Sequence, residues 1–152
     1  MKASSIYKTQ DKFIVITSSE SDIGLYLDDD PICTLPINCE IEKLQEAIFY
    51  SLKKSRKNIP TPKRDEWAKW KKEQLKKIDQ KSYTGLYKNS NSCSIREENG
   101  IVKIWPHKFL TAGKPSDGLD IVEEDVVEIK DAEFNKSEVV SKVMGLLQKK
   151  YK

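Results

Sequence analysis

Ser92-Cys93-Ser94-Ile95-Arg96-Glu97-Glu98-Asn99-Gly100-Ile101-Val102-Lys103-Ile104-Trp105 is the most informative stretch of this chain. From Ser92 to Arg96 polar and apolar residues alternate, the period of a strand with one face buried. Asn99-Gly100 then supplies the two residues that best accept positive φ, so the spacing predicts a tight type I′ turn. Ile101 to Trp105 returns as a second strand, and Pro106 is expected to end it. The pair therefore reads as an antiparallel hairpin.

Upstream of the hairpin lie helical patterns rather than a βαβ alternation. A helix is expected from Cys39-Glu40, with Ile41, Leu44, Ala47, Ile48 and Leu52 on one side and Lys53, Lys54, Arg56 and Lys57 near its C-terminal dipole. Asn58-Ile59-Pro60-Thr61-Pro62 stops it. A second, thinner helix is expected from about Arg64 to Ile78, with Trp67, Trp70, Leu75 and Ile78 inward. Ser82 to Tyr87 reads as a short strand. Before the helices, Ile6-Tyr7 and Phe13 to Thr17 read as a hairpin, and Ser18 to Asp22 as a turn-rich gap. Ile23 to Leu27 reads as a third strand that ends in the turn Asp28-Asp29-Asp30-Pro31. Ile32 to Asn38 is irregular or an edge.

After the hairpin, Thr111 to Gly118 reads as a loop, Glu124 to Ile129 as a last strand and Lys136 to Lys149 as a helix with Val139, Val140, Val143, Met144 and Leu147 inward. The order is strands, helix, helix, strands, helix. This implies an α+β fold, a mainly antiparallel sheet with three helices packed on it. A chain of 152 residues is expected to form one domain, 1–152, around one core.

Charged residues make up 34% of the chain and apolar ones 38%, enough for a core beneath a heavily charged surface. The net charge of +3 hides a segregation. Residues 1–50 carry four lysines against nine acids, residues 51–90 thirteen basic residues against four acids, and residues 91–152 ten against eleven. No run approaches the ~20 apolar residues of a bilayer span. Met1-Lys2-Ala3-Ser4-Ser5 leads into a strand rather than a secretory apolar block, so a cytoplasmic location and no membrane contact are expected. Cys33, Cys39 and Cys93 are expected to be free thiols, since their number is odd and no ligand pair follows.

Catalytic chemistry finds little support. His107 is the sole histidine and is expected in a loop at a strand end, without a nucleophile beside it. No G-x-S-x-G, metal-spaced histidine pair or glycine-rich phosphate loop is present, so no catalytic residue, metal or cofactor is assigned. Asp28-Asp29-Asp30 lacks the alternating ligands and central glycine of a calcium loop. It is either a solvated turn or a docking surface for a basic protein. Lys63, Arg64, Trp67, Lys69, Trp70, Lys71 and Lys72 combine phosphate-seeking charge with aromatic rings, the pattern of a nucleic-acid contact. The plainer reading is a solvated basic helix that turns its tryptophans to the core, which makes a nucleic-acid partner the alternative expectation.

Several steps of the chain together resemble the contact-dependent growth inhibition (CDI) immunity proteins. Ile59-Pro60-Thr61-Pro62 followed by Trp67 is similar to that family's Pro-x-Pro and nearby tryptophan. Lys81-Ser82-Tyr83 resembles its Lys-Ser-aromatic step. Ile95 and Ile101 to Pro106 resemble its paired strands, and Gly118-Leu119 a reduced form of its Gly-aromatic-x-Pro-Leu segment. The usual Pro-His-Pro is Pro-Thr-Pro here. The resemblance implies a non-catalytic role: one-to-one binding and neutralisation, in the cytosol, of the C-terminal toxin domain of a cognate secreted CDI protein, often a nuclease. A nuclease is basic where it holds nucleic acid, so the acidic first third is the expected contact. Glu20, Asp22, Asp28, Asp29 and Asp30 would supply charge and Tyr26 an anchor, unless these acids serve only to keep loops soluble.

Overall fold

The chain opens with a hairpin of β1 (Lys2–Lys8) and β2 (Lys12–Glu20), paired from Ala3↔Ser18 to Lys8↔Phe13. The computed structural model describes residues 1–151. Thr9 holds the turn: its N–H donates to the Lys12 carbonyl at 2.9 Å and its hydroxyl to Asp11 Oδ1 at 3.0 Å. Phe13 to Ile16 are all buried, because both faces of the sheet are covered at this point.

β3 (Tyr26–Pro36) flanks β2, while β4 (Asn91–Glu98) flanks β1. β4 and β5 (Ile101–Thr111) form the hairpin read from Ser92 to Trp105. Its turn places both Asn99 (φ 53°) and Gly100 (φ 79°) in the left-handed region, as a type I′ turn requires. β6 (Lys114–Ile121) pairs with the far half of β5, and β7 (Val127–Ile129) with the near half. The sheet order is β3-β2-β1-β4-β5-β6, antiparallel throughout.

One face of this sheet carries α1 (Ile41–Lys54) and α4 (Lys136–Leu147). Leu44, Ala47, Ile48 and Leu52 from α1, and Val139, Val140, Val143 and Leu147 from α4, meet Ile6, Val15, Ile95 and Ile104. The polar Ser51 in α1 is tolerated there because it bonds the Ser4 hydroxyl at 2.8 Å and the Thr17 hydroxyl at 2.9 Å. After α1, Ser55 ties the chain to the strand ends: its hydroxyl donates to the Ser18 carbonyl at 2.5 Å and accepts from the Ala3 N–H at 3.1 Å.

On the other face, α2 (Trp67–Lys77) and α3 (Tyr83–Lys88) cover only part of the sheet. Ile78, Leu86, Tyr83 and Tyr87 pack there on Tyr7, Ile14 and Ile16. α3 also packs on β6.

The α+β class, the antiparallel sheet and the helix-bearing order agree with the sequence reading; five local expectations do not. Two hydrophobic clusters flank the sheet where one core was expected. Four α-helices form among the described residues rather than three, because Ser82 to Tyr87 is helical. There the Ser82 hydroxyl accepts the Gly85 N–H at 3.0 Å, and this N-cap overrides the strand preference of Tyr83-Thr84. The third strand starts at Tyr26, not Ile23, and runs through Asp28–Asp30. As an edge strand with a bulge it accommodates acids and proline that a central strand would not. β2 also extends through Ser18 and Ser19 to Glu20, where a gap was expected. Pro106 does not end β5: its carbonyl accepts the Val122 N–H at 2.8 Å and the strand continues to Thr111, so the expected 111–118 loop is instead a tight turn at 112–113 followed by the first half of β6.

Candidate functional site

The uncovered end of the second sheet face carries the most distinctive surface. Alternation places Ala3 on β1, Ser18 and Glu20 on β2, Tyr26 and Asp28 on β3, Arg96 and Glu98 on β4, and Lys103 and Trp105 on β5 on the side of Tyr7 and His107. Ala3 is register partner to both Ser18 and Arg96, and these small residues leave room for long side chains to span the centre. Arg96 does so. Its guanidinium carbon lies 5.5 Å from the centroid of the Tyr26 ring and 5.5 Å from that of Trp105. Each such contact contributes about 0.5–1 kcal/mol and orients the guanidinium. Among the described residues the Arg96 side chain meets no hydrogen-bond acceptor and no carboxylate at ion-pair distance. Beside it a hollow of about 330 Å³ is bounded by Met1, Glu98, Ile101, Lys103 and Trp105. Lys103 is engaged with Glu128 at 3.8 Å.

The six residues expected at a docking surface separate. Glu20 and Tyr26 stay together, the phenol donating to Glu20 Oε2 at 3.4 Å; partial burial and then the Glu20 charge raise the Tyr26 pKa. Asp28 lies further along the same face, where α2 and α3 close over it. Burial lifts its carboxyl to about 6, against the opposing pull of Tyr83 and Lys77. Asp29 points to the opposite face. It accepts from Arg56 Nε at 2.9 Å, from Arg56 Nη2 at 3.2 Å and from the Ser19 hydroxyl at 2.7 Å. Asp22 accepts from the Thr61 hydroxyl at 2.5 Å, and Asp30 pairs with Lys77 at 3.4 Å. The acids thus form no single solvated turn.

His107 sits within β5, not in a loop. Ser92 and Ser94 hold its two ring nitrogens, at 2.8 Å from Nδ1 and 2.6 Å from Nε2. Burial pushes its pKa down to about 4, with Asp120 opposing. A general base works best with a pKa near working pH. A neutral ring bridging two serines in a strand pair suits the fold instead. Among the described residues no group of three or more His, Cys, Asp or Glu side chains gathers as a metal site, and no helix is long and apolar enough to cross a membrane.

The basic stretch divides at the start of α2. Lys63 and Arg64 are exposed in the preceding loop, and Lys69, Lys71 and Lys72 are exposed on the helix. Trp67 and Trp70 are half-buried and pack edge to face on each other, with centroids 5.5 Å apart. Their rings therefore spend part of their surface on the fold.

Comparison with known proteins bears on what this arrangement serves. The sequence model of the CDI immunity protein family matches residues 2–133. The chain belongs to that family. Its fold is similar to a protein of unknown function from Neisseria meningitidis, at 20% identity and a TM-score of 0.69, over 96% of this chain and 92% of that one. It is also similar to a CdiA-CT/CdiI toxin and immunity complex from Yersinia pseudotuberculosis, at 16% identity and a TM-score of 0.68, over 97% of this chain and 95% of that one. No curated protein matches the chain.

The steps that carry the family resemblance serve the frame of this CDI immunity protein. Pro60 to Pro62 follows the Ile59 bridge to Ser21 and presents Thr61 to Asp22. Ser82 caps α3, and Ile101 to Pro106 form the near half of β5. Arg96 and Trp105 were not among the candidate residues that sequence reasoning picked out. Their period-two position opposite polar neighbours marks an exposed face, but nothing in the sequence alone says that α2 and α3 leave this end uncovered.

Proposed function

We propose that this CDI immunity protein binds the C-terminal toxin domain of its cognate CDI system in the cytosol, as a one-to-one complex, and neutralises it without transforming any substrate. Membership of the family is the observation that carries this reading. The similar Yersinia structure, which is a toxin and immunity complex, supports it as well. Protection against a lethal activity requires nanomolar affinity or better, about −12 kcal/mol. A standard interface of about 1,600 Å² supplies this when a few aromatic and arginine anchors are buried at its centre.

The open sheet face offers those residue types in Tyr26, Arg96 and Trp105. We assign the toxin contact to this face, with Glu20 and Tyr26 as members of it; Asp28 lies under α2 and α3 and is left out. Asp22, Asp29 and Asp30 are occupied by Thr61, Arg56 and Lys77 and belong to the supporting frame. Glu20 and Glu98 make the rim of the face acidic, which suits a toxin that is basic where it grips nucleic acid, and so a nuclease.

The test is genetic. The toxin domain encoded beside this chain is induced in cells with and without it. Survival only in its presence supports the proposal; equal killing in both overturns it.

A further inference from the structure

We propose that Arg96 is the receiving group for a carboxylate of the toxin domain, an aspartate or glutamate that enters between Tyr26 and Trp105. The inference rests on the toxin-binding reading above and names the central contact within it.

A guanidinium carries five N–H donors in a planar fork that matches a carboxylate through two parallel hydrogen bonds. Arg56 shows the alternative use of such a fork, spending two of its donors on Asp29 within the fold. Arg96 spends none of them among the described residues. Glu20 and Glu98 share its face, yet neither lies within ion-pair distance of it. Its two ring contacts hold the side chain half-buried across the sheet without using the N–H groups. Ordering and partial desolvation of the cation are thus already met before a partner arrives, which lowers the cost of binding.

The surrounding charge selects the partner. Lys103 is engaged by Glu128, while Glu20 and Glu98 flank the site with negative charge. A phosphodiester chain brings a row of anions and is repelled by that rim. A single carboxylate set among lysines and arginines fits both parts, the carboxylate on Arg96 and the basic residues on the acidic rim. That is the pattern expected on a protein surface that is basic overall, and it favours a protein partner over nucleic acid.

The experiment measures the affinity of the intact chain for its cognate toxin domain with wild type, Arg96→Ala, Arg96→Lys, Trp105→Ala and the distant control Lys142→Ala. Melting curves establish that each variant is folded. Arg96→Ala is expected to weaken binding by at least about 30-fold, the scale of a central anchor. Arg96→Lys should fail to restore it, because an ammonium keeps the charge but loses the fork and the stacking. An Asp/Glu→Ala scan of the toxin should find one position whose loss costs the wild type as much as Arg96→Ala does and costs the Arg96→Ala variant nothing further. Folded Arg96→Ala that binds like wild type overturns the anchor and leaves the neutralising role standing. Wild type that does not bind the toxin overturns that role and the anchor with it. Binding of a single-stranded RNA oligonucleotide that is lost in Arg96→Ala overturns the assignment of a protein carboxylate.

Discussion

Arg56 grips Asp29 through two parallel hydrogen bonds, Nε to Oδ2 at 2.9 Å and Nη2 to Oδ1 at 3.2 Å. The pair joins the segment after α1 to the edge strand β3. Burial alone would raise the Asp29 carboxyl, but bonds from Arg56 and Ser19 outweigh it and hold the pKa below its ordinary value. Asp29→Ala should therefore lower the melting temperature by about 3 °C, the shift expected for loss of a partly exposed charged contact in a chain of this size. Toxin affinity should not change, since Asp29 faces away from the open sheet face. A variant that melts like wild type yet loses affinity would return Asp29 to the contact surface.

Asp28 responds to pH in the opposite sense from an ordinary ion-paired acid. Its folded pKa is raised to about 6, above its unfolded value. Its contribution is favourable below pH 4 and is lost as pH climbs through 6. Asp28→Asn should then stabilise the protein at pH 8 by about 3 kcal/mol at most and have little effect at pH 4. Denaturant titrations at the two pH values check this; equal effects at both would contradict it.

His107 should drive the acid limb of stability. With a folded pKa near 4 the imidazole stays neutral while the unfolded chain takes up a proton below about 6.5. Stability falls as pH drops across that window, by about 3 kcal/mol in all. Between pH 4 and 6 the Asp28 effect runs the other way and masks part of the slope. The loss should therefore be steepest in the Asp28→Asn background and should flatten when His107→Gln is added. A slope unchanged by His107→Gln would locate the acid sensitivity elsewhere.

The basic helix should prove dispensable for neutralisation. Lys69→Glu, Lys71→Glu and Lys72→Glu combined should leave toxin affinity within about threefold of wild type, as for charges outside an interface core. RNA binding by the wild type should be absent at ~0.15 M salt, where a real phosphate contact would still register. Strong, steeply salt-dependent RNA binding that the triple variant abolishes would favour the nucleic-acid reading.

How far the sequence foretold this molecule differs from element to element. The β4–β5 turn was legible because Asn99-Gly100 answers a local demand for positive φ. α1 and α4 were legible because their apolar residues recur at helical spacing and end up buried. α3 was not, since six residues offer too short a period and the decisive interaction is a single Ser82 cap. The acidic run at 28–30 looked like a turn because its neighbours in sequence are polar, whereas an edge strand decides its structure by what lies across from it on β2. The site was least legible. Tyr26, Arg96 and Trp105 come from three strands and meet only through a register that spans β2 and β1. The resemblance foretold the family, and only the fold identifies which acids are already spent on internal bonds.

The most direct trial of the whole account is a stoichiometric titration of the cognate toxin domain with this chain, following the toxin's own activity. At toxin concentrations well above a nanomolar dissociation constant, activity should fall in a straight line and vanish at one equivalent. Activity that persists at full strength in the presence of excess folded chain would contradict the claim that this protein neutralises by occupying its partner.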